Sequence, residues 1–189
     1  MRKEIFGFLV LLLLIGGTYL LARGGKEPKE RYNANTTGVI QVTGLVEKPY
    51  NMTYSDLRKL PSKNVSAPLY CVDNPRTPRK NGTWRGIPLR ILLKKAGVKD
   101  NAYKIALYAD DGYTTDLLVG WITDDTIVAY EFNGKPIKPR LVVPGMWGYK
   151  WIKGIEIIRL VDYDFKGTWE RVGYPDYAYT DTEGPEGAK

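Results

Sequence analysis

From Ile5 to Ala22 the chain is apolar and uncharged, reading IFGFLVLLLLIGGTYLLA. That is about the shortest run that spans a hydrocarbon core as a helix. Arg2 and Lys3 precede it, and Arg23 and Lys26 follow it, so flanking charge does not orient it. We read residues 1–22 as a membrane anchor. The alternative, a signal peptide, has an unusually long apolar stretch and no clear small-residue cleavage site. Residues 23–37 change character to Gly, Asn and charge, as expected of a flexible tether. The last residues, 181–189, are a polar tail.

Between them, over 38–180, apolar positions come in short strand-like runs. Val39 to Val46 mixes β-branched and small residues and predicts a strand, with Lys48-Pro49 turning it. Tyr54 to Leu60 predicts a short helix stopped by Pro61. Leu69 to Val72 predicts a strand ending at Cys71, followed by a loop over 73–83 that carries Arg76, Arg79 and Lys80. Leu89, Leu92 and Leu93 share one face of a helix that Pro88 opens and Gly97 closes. Further strands are expected over 103–109, 127–132, 140–143 and 155–161. Asp110-Asp111-Gly112 makes a turn, and Asn133-Gly134 makes a hairpin. The sum is an α+β fold with mixed sheets.

Length suits one domain, and a hydrophobic fraction of 43% with five tryptophans gives it a core. The net charge of +7 suits a small anion better than nucleic acid, for which no binding motif is present. Asp110, Asp111 and Asp116 lack the alternating spacing of a calcium loop. Asn-x-Ser/Thr sequons at Asn35, Asn51, Asn64 and Asn81 lie on one side of the apolar run. They favour an extracytoplasmic, membrane-anchored domain.

The chain has one cysteine, Cys71, and no histidine. Triads built on imidazole are therefore impossible. Zinc, haem and iron–sulfur sites lack their usual ligands. By residue type alone a lone cysteine is as often a small buried hydrophobe. If Cys71 ligates a metal, an organic cofactor must bring the rest of the coordination.

Seven segments then align in order with one family. They are IQVTGLVEKPYNMTYSDLRKLP, YCV, WRGIPLRILLKKAG, DDGYTTDL, AYEFNGKPI, RLVVPGMWGYKWIKGIEI and GTWERVGYPD. Together they resemble the molybdopterin-binding domain of the sulfite oxidase superfamily, which includes methionine-sulfoxide reductase catalytic subunits. The resemblance implies a mixed-sheet fold around a pyranopterin dithiolene carrying molybdenum, with tungsten possible, and Cys71 as the protein's metal ligand. It implies that Arg76 meets substrate and that Tyr113 stands near the metal's oxygen ligand. Asn74, Arg140, Lys150 and Lys153 fall where the family holds the cofactor. The implied protein is a monomer exchanging electrons with a separate cytochrome or soluble carrier while acting on a small oxide or anion. The other reading is a surface binding module that keeps the fold without redox turnover.

Overall fold

The structure, a computed structural model, describes residues 38–180. The apolar run 5–22, the tether and the polar tail lie outside the described residues. Among the described residues no helix is long and apolar enough to cross a membrane.

Among the described residues, nine strands make two sheets. The first contains β1 (Val39–Gly44), β2 (Tyr50–Thr53), β5 (Lys104–Ala109), β6 (Thr114–Leu118) and β9 (Ile155–Val161). Their order is β2-β1-β9-β5-β6. It is mixed, because β1 pairs parallel with β9 and the other ladders are antiparallel. The second contains β3 (Lys63–Leu69), β4 (Lys80–Pro88), β7 (Ile127–Phe132) and β8 (Lys135–Val142) in sequential, antiparallel order. The described residues include two α-helices, α1 (Tyr54–Leu57) and α2 (Leu89–Ala96).

Alternation builds the core. Ile40, Val42, Leu107 and Ile158 of the first sheet join Trp84, Ile87, Val128 and Leu141 of the second in one buried cluster. Helix α2 adds Leu89, Leu92, Leu93 and Ala96, a face set by 3.6-residue periodicity. Gly97 ends it in the left-handed conformation, φ +67°. A separate cluster of Ala106, Val161 and Phe165 shows that β5 is buried on both faces. The C-terminal strap, residues 162–180, supplies Phe165 to it.

Three local expectations are corrected. The strand before the cysteine is β3, and it stops at Leu69. Val65, Ala67 and Leu69 alternate inward, and Pro68 is tolerated because β3 is an edge strand. The loop after Cys71 is shorter than 73–83, since β4 starts at Lys80. Strands β2 and β6, for which no element had been expected, follow the Lys48-Pro49 and Asp110–Gly112 turns and join the first sheet. Helix α1 is one turn, capped by Thr53 and Asp56 in a reciprocal capping box.

Candidate functional site

Cys71 sits two residues past the end of β3, on a loop clasped at its base by the Leu69–Lys80 pairing. The Arg79 N–H donates to the Leu69 carbonyl at 2.8 Å. The Asn74 N–H donates to the Cys71 carbonyl at 3.0 Å, folding residues 71–74 into a turn. The thiol is half-exposed. Its one polar contact among the described residues is a long one, 3.5 Å to Asp73 Oδ2, so the sulfur is available. Arg76 and Asn74 lie exposed on the same loop, and no carboxylate pairs with Arg76 among the described residues.

A wall stands behind this loop. It is the segment from Met146 to Lys153, which leaves β8 and enters β9. Gly148 donates its N–H to the Tyr70 carbonyl at 2.7 Å. The approach requires glycine, since a Cβ there would lie 2.7 Å from Tyr70 O and 3.2 Å from a Leu69 methyl carbon. The strap fastens the wall from its other side, through Trp147 N–H to Ala178 O and Thr180 N–H to Gly145 O, both at 2.7 Å. The Trp147 indole nitrogen is buried without a hydrogen-bond partner among the described residues. Buried N–H groups are rarely left so, and a polar ligand edge would satisfy it.

Tyr113, at the mouth of β6, reaches the same wall. Its hydroxyl donates to the Tyr149 carbonyl at 2.6 Å. Burial, reinforced by the Glu170 carboxylate, pushes its pKa well above the ordinary tyrosine value. The phenol therefore stays protonated and can serve as a donor.

Lys150 requires a correction. The family resemblance puts it with Lys153 against the cofactor. The structure turns its ammonium inward, 1% exposed, to Asp116 Oδ1 at 2.6 Å and Glu170 Oε1 at 2.7 Å. Thr115 donates to the same Glu170 oxygen at 2.7 Å. Beside them Lys104, also fully buried, pairs with Asp116, Asp164 and Asp176. Burial disfavours the Lys104 charge, but the three carboxylates outweigh it and raise its pKa. Burial also raises the Glu170 pKa, against the pull of Lys150. The physical reason for the inward turn is local. Lys150 lies between Tyr149 and Trp151 in a buried stretch, and β6 and the strap supply counter-charges.

Arg140 and Lys153 are brought together, bridging backbone to backbone. With Lys80, Lys138, Trp84 and Ile137 they line a cleft of about 320 Å³. The Arg140 guanidinium lies over the Trp84 ring at 6.0 Å, and burial lowers its pKa. Lys138 is paired with Asp110 at 2.5 Å. Arg140, Lys80 and Lys153 have no carboxylate partner among the described residues. Three unpaired cations around an aromatic floor form a site for an anion such as a phosphate. The Met146–Lys153 wall connects it to the cysteine loop, since Gly148 touches Tyr70 and Lys153 touches Arg140.

Of the expected site residues, Cys71, Arg76, Asn74, Tyr113, Arg140 and Lys153 lie around one wall and its loop in the structure. The sequence did not single out Lys80, Gly148 or the Trp147 indole as site residues. Lys80 had been seen as loop charge. The signal for Gly148 was a glycine between two bulky aromatics. Among the described residues no cluster of three or more Cys, Asp or Glu side chains could hold a metal unaided. A free thiol, an unpartnered indole N–H and a cationic cleft fit a group with a sulfur-ligated metal at one end and a phosphate at the other.

Comparison with known proteins bears on that fit. Residues 31–169 match the family described as oxidoreductase molybdopterin binding domain. The chain is 31% identical over 150 residues to the uncharacterized oxidoreductase YuiH of Bacillus subtilis (strain 168), covering 76% of this chain and 75% of that protein. It is 28% identical over 173 residues to the protein-methionine-sulfoxide reductase catalytic subunit MsrP of Gluconobacter oxydans (strain 621H). That match covers 78% of this chain and 54% of the relative, so the chain spans about half of that protein's length. Among solved structures, the sulfane dehydrogenase SoxCD from Paracoccus pantotrophus superposes with a TM-score of 0.63 at 24% identity. It covers 70% of this chain and 40% of the other, a likeness of fold.

Proposed function

The chain belongs to the family of oxidoreductase molybdopterin-binding domains, within the sulfite oxidase superfamily, and is a molybdenum oxidoreductase; from that premise we propose that it transfers an oxygen atom to or from a small S-oxide, N-oxide or oxyanion. Its two electrons are exchanged with a separate redox partner. The observation that carries this reading is the available Cys71 thiol on a loop whose backing wall ends in an acid-free cationic cleft.

When bound, the pyranopterin dithiolene supplies the metal, molybdenum or tungsten, and with it the two-electron chemistry. Cys71 would hold the metal, a soft thiolate on a sulfur-rich centre. Arg140, Lys153 and Lys80 would hold the cofactor phosphate, and the Trp147 indole its polar edge. Asn74 shapes the turn that presents the cysteine. Arg76, exposed and unpaired, draws in an anionic or S–O-bearing substrate and orients it by charge-assisted hydrogen bonds. Tyr113 keeps its proton on a partly buried hydroxyl that rests on the Tyr149 carbonyl, and would turn that donor to the substrate oxygen.

The test is expression in a host that makes the cofactor, followed by metal and pterin analysis. Near-stoichiometric metal is expected, and its loss in Cys71→Ser. Folded but metal-free protein from such a host overturns the reading. Dye-linked assays with sulfite and methionine sulfoxide then give substrate and direction. For location, we propose that residues 1–22 anchor the domain outside the cytoplasm. Protease added to intact cells should remove the domain, and protection of the domain would refute this.

A further inference from the structure

Three aromatic rings outside the chemistry just described run from the surface towards the cysteine loop. Trp169 is 43% exposed. Its ring centroid lies 5.0 Å from that of Tyr174, which lies 5.4 Å from that of the buried Tyr149. Both contacts fall in the range of direct ring packing. The ladder is held in place. The Tyr149 hydroxyl donates to the Pro175 carbonyl at 2.7 Å, and the Tyr174 N–H donates to the Trp169 carbonyl at 3.1 Å. Next in the chain after Trp169, Glu170 is pinned by Lys150 and Thr115.

The inner end leads to the sulfur. Tyr149 follows Gly148, whose N–H donates to Tyr70 O, and Tyr70 precedes Cys71. From Trp169 to the Cys71 sulfur the route crosses two ring contacts and one hydrogen bond. The remainder is covalent chain. At the outer end, the turn Glu170–Val172 leaves Val172 69% exposed beside Trp169. Arg171, also exposed, stands between them.

We propose that Trp169, Tyr174 and Tyr149 are the electron bridge between the metal held by Cys71 and a one-electron carrier protein docking on the Trp169–Val172 turn. The proposal rests on the preceding reading of a Cys71-held metal. An apolar spot centred on an arginine fits a carrier with an apolar contact ringed by carboxylates. The two electrons of each turnover cross singly. Oxidation of one substrate molecule reduces two carrier molecules by one electron each, and reduction of one substrate molecule oxidises two. The rings couple donor to acceptor and undergo no net oxidation.

The test uses metal-loaded protein with a ruthenium photoreductant attached through Val172→Cys, and a control carrying it through Lys94→Cys on α2. Flash-induced reduction of the metal is followed by transient absorbance, with metal and pterin content measured on the same preparation. Tyr174→Leu and Trp169→Leu should slow transfer from position 172 several-fold and leave transfer from position 94 unchanged. Tyr174→Phe, which keeps the ring, should behave as the parent. Rates from 172 that ignore both leucine variants, or that fall equally from 94, overturn the bridge while leaving the metal site standing. Metal-free protein overturns both readings.

Discussion

The backbone N–H of Gly148 and the carbonyl of Tyr70 meet at 2.7 Å, joining the wall between β8 and β9 to the residue before Cys71. A side chain cannot enter that contact, because a Cβ would lie 2.7 Å from the Tyr70 oxygen. Gly148→Ala should therefore push the wall off the loop. We expect a loss of about 1–3 kcal/mol of stability, typical of forced overpacking. Metal content should fall further than stability alone predicts. Thermal unfolding and metal analysis on one preparation check this, and a variant that keeps full metal content refutes it.

Lys150 and Lys153 should separate cleanly. Lys150→Met leaves Asp116 and Glu170 buried with less counter-charge. Breaking a buried pair in this way costs about 3–5 kcal/mol. Lys153→Ala removes an exposed side chain and should change stability by no more than about 0.5 kcal/mol, while weakening retention of the phosphate-bearing pterin. Denaturant melts and pterin content read the two effects. Equal effects of both substitutions on folding would contradict the separation.

Tyr113 should act as a donor. Burial holds its phenol protonated well past the ordinary tyrosine pKa, so the pH–rate profile should show no limb at about 10 from this group. Tyr113→Phe should cost about 1 kcal/mol of stability, one hydrogen bond. Its kcat should fall roughly 10²–10⁴-fold, the span of general acid catalysis. A phenylalanine variant with parental kcat would remove Tyr113 from the reaction.

The strap should loosen in acid. Burial alone would raise the Asp176 pKa, but hydrogen bonds from Lys104 and Lys166 outweigh it and hold it low. Lys104 holds Asp164 low as well, burial opposing and Lys166 assisting. A folded pKa below the unfolded value gives stability that is present above about 3.9 and lost as pH falls through the folded value. Asp176→Asn should lower Tm at neutral pH and flatten the acid limb of the Tm–pH curve. Parallel curves for parent and variant would count against the ion pairs.

Strands rich in β-branched residues, β1, β7 and β9, were legible in the sequence. So was the Asn133-Gly134 hairpin, whose residues take φ +48° and +75° as a primed turn requires. Strands β3 and β8 were legible only at Leu69 and from Arg140 on; the rest of each carries Pro68, Pro136 and Pro139, which weaken a strand pattern. Edge positions in the second sheet admit them. Cys71 was legible because it is unique. Lys80 and the Trp147 indole were not, because their significance lies in what faces them across the fold. Lys150 was misplaced for the same reason, since sequence gives its charge and not the side to which it turns.

The parallel pairing of β1 with β9 sets a clock on assembly. The first strand of the domain must wait for β9, so the five-stranded sheet closes only once β9 has been made. Closure over such a separation is slow relative to local hairpins. Cys71 emerges early, but Gly148 and the strap that back it emerge late. A chain truncated before β9 would offer the thiol and the wall without the closed sheet that holds them in place.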